Sequence, residues 1–362
     1  MDGDRARDVT IYDVARAAGV AASTVSRAFS RPGRVNAATA ERVRRVAEEL
    51  GYRTNPLARA LSTARSHMLA LIVSDVANPF YSEVIRGAQA EAAERGCTLV
   101  LADAQESDRV ERAALERVLP AVDGVVLGGS RMSDSAIRMI AKQKPVVVLN
   151  RVVVDVPCVV PDNATGMRRA VEHLLRLGHE TLTYVAGPEA SWADGMRWRS
   201  LQDTAADLQL RLRRVGPTSP DVPGGLRAAE QLVSSPATAV LAYNDQVAIG
   251  VIRGLAARGV RVPRDVSVVG FDDIGPAVLI TPGLTTVAAP LRLEGATATR
   301  HHLAMIEGAR SRTGQPMVLP VRRVERGSAA QRRRKRTSPA SGTTNVSPSA
   351  RNAPTSTSAG SR

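Results

Sequence analysis

Aromatic side chains are scarce, at 3% of 362 residues, so any core must be filled by aliphatics. There are only two cysteines, Cys97 and Cys158. Both lie in or beside apolar segments, and their spacing matches no metal site. They are expected to be small buried side chains in a reducing compartment rather than a disulfide framework. No apolar run approaches the roughly 18 residues of a membrane-spanning helix. The first residues, MDGDRARD, contain no apolar signal region. The chain also lacks a glycine-rich phosphate loop, a G-x-S-x-G elbow and a cluster of metal ligands. No enzymatic activity, cofactor or metal is therefore expected, and the location expected is cytoplasmic.

What is present suits a globular protein. Hydrophobic residues make up 44% of the chain, and the length allows two or three compact units. The net charge is +14 and is unevenly placed. Residues 1–66 hold 12 Lys+Arg against 7 Asp+Glu, or +5; residues 321–362 hold 10 against 1, or +9; the middle holds 27 against 27. A neutral middle with basic ends favours a nucleic-acid partner over general stickiness.

The N-terminal stretch from Thr10 to Leu61 organises the rest. Thr10 and Asp13 fit a capping box, and Ile11, Val14, Ala15 and Ala18 share one helical face. Gly19 ends that helix, and a second begins within a few residues, a helix-turn-helix connection. Val20, Val25, Ala28 and Phe29 are expected to face inward, leaving Ala22, Ser23, Ser26 and Arg27 outward. After the turn Arg31-Pro32-Gly33, Asn36 can cap a third helix. Val43, Val46, Ala47 and Leu50 of that helix close a small core, and Gly51 ends it.

From His67 onward, short β-rich runs alternate with helical stretches. The runs are 68–73, 98–102, 124–128, 145–149, 181–186, 238–243, 266–270 and 284–287, with helices such as 81–94, 164–177 and 246–257 between them. This is the α/β pattern of parallel sheets covered by helices. Two subdomains are expected, with a first crossover near 161–163 and a helix over 291–307 returning to the first. Ligands gather beyond the carboxyl ends of such strands. Here those ends carry residues 75–80, Asp103, Ser130, Asn150-Arg151, 188–192, Asn244-Asp245 and Asp272-Asp273.

These residues resemble the LacI/GalR family of bacterial transcription regulators. In the head the matches are Ile11 through Ala15, Ala18-Gly19-Val20, Thr24-Val25-Ser26-Arg27, Leu50-Gly51-Tyr52, and Asn55-Pro56 through Ala58 to Leu61. Downstream they include Asn78-Pro79-Phe80, Asn244-Asp245-Gln246 and Val269 through Asp273. The resemblance runs to about Arg326. It implies an all-α helix-turn-helix head at 1–53 and a hinge helix and linker at 54–66. A periplasmic-binding-protein-like core follows at 67–327, then a basic disordered tail at 328–362.

The resemblance implies roles residue by residue. Ala22, Ser23 and Arg27 face base edges in the major groove. Tyr12, Thr24, Ser26 and Asn36 hold the sugar-phosphate backbone. Asn55, Ala58 and Leu61 belong to the hinge, with Leu61 wedged into the minor groove. Arginine suits base reading because its fork matches guanine O6 and N7. In the core, Arg197, Asn244 and Asp272 bind a small polar effector, with Asn78 beside them and Phe80 and Trp192 as apolar faces. A sugar fits such a set best; a nucleoside uses similar groups.

Plainer roles are open to each. Asn244 suits a helix N-cap, Asp272 a turn cap and Arg197 a solvated helix surface, while Phe80 and Trp192 suit packing. Three departures from the family pattern stand out. Ala21 replaces a usual serine, the segment from Leu210 to Leu226 has no aromatic, and Glu294-Gly295 and His301-His302 stand where small or apolar residues are common. The function expected is that of a homodimeric repressor on a near-palindromic operator, controlled by its effector. The alternatives are a soluble ligand-binding protein without gene control and an α/β enzyme.

Overall fold

The computed structural model describes residues 9–30, 33–52, 65–235, 237–309 and 315–332. Three helices form the head: α1 (Ile11–Ala18), α2 (Ala22–Ser30) and α3 (Ala37–Glu49). Asp13 Oδ2 accepts from the Thr10 backbone N–H at 2.9 Å and from its hydroxyl at 2.6 Å, which fixes the start of α1. Gly19 ends α1 at φ 65°, a left-handed conformation that a side chain would strain. Asn36 caps α3 by accepting from the Ala38 N–H at 2.9 Å. The head's core is Val14, Ala15, Ala18, Val25, Ala28, Ala40, Val43 and Ala47. Phe29 and Tyr52 close it with ring centroids 6.1 Å apart. Leu50, expected inside, is 40% exposed because α3 has ended before it and the chain turns at Gly51. The hinge segment falls outside the described residues.

Two six-stranded sheets follow. The first is built in chain order from β1 (Met68–Val73), α4 (Pro79–Glu94), β2 (Thr98–Asp103), α5 (Asp108–Val118), β3 (Gly124–Gly128), α6 (Asp134–Ala141), β4 (Val146–Leu149) and β5 (Cys158–Pro161). The chain then crosses to the second through α7 (Asn163–Arg176), β6 (Thr181–Val185), α8 (Trp192–Asp207), β7 (Arg211–Val215), α9 (Val222–Ser234), β8 (Ala239–Ala242), α10 (Asp245–Ala256), β9 (Ser267–Asp272) and β10 (Thr285–Ala288). Helix α11 (Leu291–Ile306) returns to pack on α4, β3, β4 and β5. Strand β11 (Met317–Leu319) completes the first sheet, and β12 (Arg322–Val324) completes the second.

The strand orders are β11-β5-β4-β3-β1-β2 and β12-β10-β9-β8-β6-β7. All pairings are parallel except β10 with β12. Parallel strands need both faces covered, and β1, MLALIV, shows it: five of its six residues are buried. Each such aliphatic contributes roughly 1.5–3 kcal/mol on burial. Order reverses at β1, flanked by β2 and β3, and at β6, flanked by β7 and β8. Those switch points place a crevice at the strands' carboxyl ends.

Helices α4 and α11 meet backbone to backbone at Gly87 and Gly295. A Cβ on Gly87 would stand 1.9 Å from the Arg292 carbonyl oxygen, and one on Gly295 1.9 Å from that of Val84. The Arg300 guanidinium grips Glu91 across the same seam, at 3.1 and 2.5 Å. Buried His302 fills the space that Gly124 leaves open; burial pushes its imidazole down to about 4. Asp123 fastens the start of the core by accepting from Ser66 N, Ser66 Oγ and His67 N at 2.7–2.9 Å.

Four strands escape the sequence pattern. β11 and β12 have three residues each, and β5 has four. β7 reads RLRRV at the sheet's edge, where only Leu212 and Val215 pack on the core and the three arginines are exposed. The folded body also reaches past 328, the expected start of the tail. Ser328 Oγ donates to Val268 O at 2.6 Å, Ala330 N to Ser267 Oγ at 3.1 Å, and Arg332 N to Leu177 O at 2.8 Å. Cys158 is buried as expected, while Cys97 is only half-buried. No described helix is long and apolar enough to cross a membrane.

Candidate functional site

Helix α2 presents the head's polar face. Val25 and Ala28 turn into the core, so Ser23 and Arg27 are left exposed beside half-buried Thr24 and Ser26. Ala22, expected outward, is half-buried and packs on the head's core at the start of α2. Tyr12 is 68% exposed on α1, and Asn36 is exposed at the start of α3. A small hydroxyl and a guanidinium on one exposed helix can reach base edges, with hydroxyls and amides around them for phosphates. Asn55, Ala58 and Leu61 lie outside the described residues.

The crevice between the two sheets brings together Asn78, Phe80, Arg197, Asn244 and Asp272. Asn78 caps α4, its Oδ1 accepting from Phe80 N at 3.0 Å. Asn244 caps α10 through Val247 N at 2.8 Å, and its Nδ2 donates to Pro220 O at 2.9 Å. Capping leaves each amide partly free, so the plain role and the ligand role coexist at these positions.

Arg197 is buried, not solvated. Its Nε donates to Asn163 Oδ1 at 2.9 Å, one terminal nitrogen donates to Tyr243 O, and the other lies 3.5 Å from Asp272 Oδ1. The guanidinium is 3.7 Å from the Phe271 ring centroid and 5.1 Å from that of Tyr243. Asp272 ends β9 at φ 120°, a backbone conformation few side chains adopt. Burial pushes its carboxyl up to about 7, against the pull of Arg197 and with the help of Glu294. Behind it, buried Asp245 accepts from Ile274 N at 2.9 Å and Thr286 Oγ1 at 2.5 Å. Burial and then Asp272 raise Asp245 well above the carboxylate range.

Trp192 is a correction. It opens α8 half-buried against the core, while its neighbours Ser191 and Ala193 line the crevice. The flat faces come instead from Tyr81 and Tyr243, which the sequence analysis did not select. Tyr81 OH pairs with Ser74 Oγ at 2.9 Å and donates to Gly128 O at 3.2 Å. Tyr243 OH lies 3.0 Å from Ser191 Oγ. Arg131, also unselected, stands at the mouth against Glu106 at 2.6 Å. Both Tyr243 and Arg131 sit one to three residues past a strand's end, the signal that marked their neighbours. In this conformation the walls leave a cavity of about 40 Å³. Small-ligand pockets run to roughly 300–1,000 Å³, so a sugar requires the walls to part.

No group of three or more potential metal ligands occurs among the described residues. What the crevice offers is binding: hydrogen-bond donors and acceptors from both sheets around a buried guanidinium, with aromatic faces beside them.

Comparison with known proteins places both regions. A family described as bacterial regulatory proteins, lacI family, matches residues 10–55, and one described as periplasmic binding proteins and sugar binding domain of LacI family matches residues 66–322. The HTH-type transcriptional regulator DegA of Bacillus subtilis (strain 168) is 31% identical over 332 residues, covering 89% of this chain and 98% of the relative. The lac repressor dimer bound to operator and the anti-inducer ONPF superposes with a TM-score of 0.80 at 27% identity, over 90% of this chain and all of that one. A LacI family regulator from Enterococcus faecium with bound ribose gives 0.66 at 30% identity, over 74% of this chain and all of that one. The chain belongs to the LacI family of bacterial regulatory proteins, which are DNA-binding transcription regulators and not enzymes.

Proposed function

We propose that this regulator is a cytoplasmic repressor that binds a near-palindromic operator as a homodimer and responds to a small polar effector, a sugar or a close derivative, in the crevice of its core. The observation that carries the reading is the pairing, in one chain, of exposed Ser23 and Arg27 on α2 with the buried Arg197–Asp272 pair between two sheets. The lac repressor structure with operator supports the first half, and the ribose-bound regulator supports the second.

Ser23 and Arg27, with Ala22 at their edge, read bases. Tyr12, Thr24, Ser26 and Asn36 hold the phosphates and set register. Two heads related by a two-fold axis read two half-sites. Asn55, Ala58 and Leu61 serve as the hinge, and Leu61 opens a central base step. Asn78, Phe80, Arg197, Asn244 and Asp272 hold the effector. Because Asn78 and Phe80 come from the first sheet's wall and the rest from the second's, occupancy changes the angle between the subdomains. The effector shifts the operator-binding equilibrium only by its differential affinity for the two angles.

The test is selection of bound sequences from random duplex DNA by the purified full-length protein. A recovered palindrome with a pyrimidine–purine centre is expected. Binding that is only salt-sensitive and indifferent to sequence would overturn the reading.

A further inference from the structure

The chain passes between the two sheets at Asp162, at 289–290 and at 320–321. The Arg197–Asp272 pair is bonded to two of these crossings. Asn163, the first residue of α7, is 5% exposed, and its Oδ1 accepts from Arg197 Nε at 2.9 Å. Its Nδ2 donates to the carbonyl of Pro161, the last residue of β5, at 3.3 Å. At the second crossing, Ala289 N donates to the Asp272 carbonyl at 3.3 Å. The first crossing is tied towards the third, since Asp162 N donates to Leu319 O at 2.9 Å. The crevice's other ion pair, Arg131–Glu106, lies wholly within the first subdomain. Asn163 is not among the residues that line the crevice, so it meets no effector itself.

What Asn163 controls is orientation. The Phe271 ring stacks on the Arg197 guanidinium at 3.7 Å and restricts its tilt, but a ring face prefers no direction within that plane. Direction in the plane is set by hydrogen bonds, because the guanidinium's donors form a rigid fork. Holding Nε on Asn163 aims one terminal nitrogen at the Tyr243 carbonyl and the other at Asp272. Phe271, Tyr243 and Asp272 belong to the second subdomain, as Arg197 does, and move with it. Asn163 differs: it stands where the backbone must turn when the subdomains change angle. Such a change is required, since the crevice in this conformation holds only about 40 Å³.

We propose that Asn163 is the positioning residue that couples the effector crevice to the pivot between the subdomains. This rests on the reading of the crevice as the effector site and adds the link from occupancy to angle. When the subdomains turn, the crossing carries Asn163 with it and re-aims the guanidinium. The fork offered to an effector then differs between the two angles, which supplies the differential affinity that control requires. Coupling is reciprocal, so operator DNA, by selecting one angle, must change the state of Arg197.

Reciprocity permits a test with DNA alone. Hydrogen exchange is followed by mass spectrometry in the full-length protein, free and saturated with the operator duplex recovered by selection. In the wild type, operator should change exchange in the head and, by about fivefold, over 192–200 around Arg197. Asn163→Ala should keep the change in the head and lose the one over 192–200. Asn163→Asp, which retains an acceptor for Nε, should keep both. Asn163→Ser, whose hydroxyl stops one bond short, should behave as alanine does and replaces it if alanine does not fold. Loosened packing alone would raise exchange equally with and without operator and leave the difference in place. A difference over 192–200 that survives in Asn163→Ala or Asn163→Ser, or one that is lost in Asn163→Asp, overturns the coupling role. So does a wild type that responds in the head but not over 192–200. No change even in the head would overturn the operator reading, and the coupling role with it.

Discussion

Arg197, from the middle of α8, reaches Asp272, the last residue of β9, across 3.5 Å with both side chains buried. The same guanidinium is stacked on Phe271 and bonded to Asn163 at the start of α7. Three elements of the second subdomain therefore converge on one charged side chain at the crevice wall. Arg197→Met should destabilise the protein, because Asp272, Asn163 Oδ1 and the Tyr243 carbonyl all lose a donor. Breaking a buried pair costs about 3–5 kcal/mol when the partner stays charged. Asp272 has its carboxyl at about 7 even with Arg197 present, so in the variant it takes up a proton near neutrality. Urea denaturation should then give a loss of roughly 2–3 kcal/mol at pH 6 and a larger one at pH 8. An equal loss at both pH values would show that Asp272 does not titrate there.

The contributions of Glu294 and Asp272 to stability without ligand should fall as pH rises from about 5 to 8; buried Asp245 acts in the same direction, and His173, His179, His301 and His302, all pushed down by burial, act in the opposite one below about 6.5. Glu294 has a folded-state value near 8 against an unfolded value of 4.5, and Asp272 about 7 against 3.8. A raised carboxyl makes the folded state bind more protons than the unfolded one between the two values. Its stabilising effect is therefore complete below the unfolded value and lost as pH passes the folded value. Arg197 opposes this and Asn150 favours the charged form of Glu294, so both act to narrow the window. Glu294→Gln removes one titration and leaves the others in place, so the comparison with the wild type isolates it. Its melting temperature should match the wild type at pH 5 and exceed it by several degrees at pH 8, where about 1 kcal/mol corresponds to roughly 2–4 °C. A difference of the same size at pH 5 would mean a packing change, not a titration.

The sequence marks what short-range chemistry decides. Met68–Val73 and Gly124–Gly128 announce themselves as buried strands because a parallel sheet covered on both faces leaves no room for polar alternation. Gly19 and Asn36 announce helix ends because few residues can do their work. Edge strands are another matter. RLRRV pairs with β6 through its backbone while Arg211 and Arg213 stay exposed and Arg214 bonds Asp194 at 2.8 Å, a contact set by the neighbouring helix α8, so little in its side chains signals a strand. The crevice was partly legible: strand-end polarity pointed to Asn244 and Asp272 but passed over Tyr243 and Arg131. Their place depends on which elements meet across the crevice, a relationship between residues about a hundred apart. Trp192 was misplaced by one helical step, since at the start of α8 a shift of one residue turns a side chain by about 100°.

Gly295→Ala should be costly although alanine is the better helix former. Its Cβ would lie 1.9 Å from the Val84 carbonyl oxygen and 2.9 Å from the Ala88 nitrogen, both backbone atoms that cannot move alone. Helix α11 must back away from α4, which also lengthens the Arg300–Glu91 bonds. Overpacking of this kind costs about 1–3 kcal/mol, and helix propensity returns at most roughly 1 kcal/mol. A net loss of about 1–2 kcal/mol in denaturant is expected. Gly259, exposed with open space around its Cβ position but at φ 76°, is the contrast. An alanine there is strained only by its own backbone, at about 1 kcal/mol or slightly more. If Gly295→Ala proved neutral, the close approach of α4 and α11 would not be a rigid feature of the core.

Arg27→Ala separates base reading from charge. The side chain is exposed on α2 while the adjacent Val25 and Ala28 turn into the head's core, so removing it should leave the head folded and its melting temperature unchanged. Loss of a bidentate arginine–guanine contact costs about 1–3 kcal/mol on the selected operator, a five- to 150-fold weaker affinity. On random duplex DNA only the general attraction of one positive charge is lost, a few-fold at moderate salt. Tyr12→Phe, by contrast, removes a hydroxyl from a 68% exposed ring and should weaken both kinds of DNA by a similar factor, since a phosphate contact carries no sequence information. The two variants together decide the role by ratio: the operator-to-random affinity ratio should fall in Arg27→Ala and hold in Tyr12→Phe. A ratio unchanged in Arg27→Ala would move the base-reading role off that side chain and leave Ser23 as the exposed candidate on the same helix.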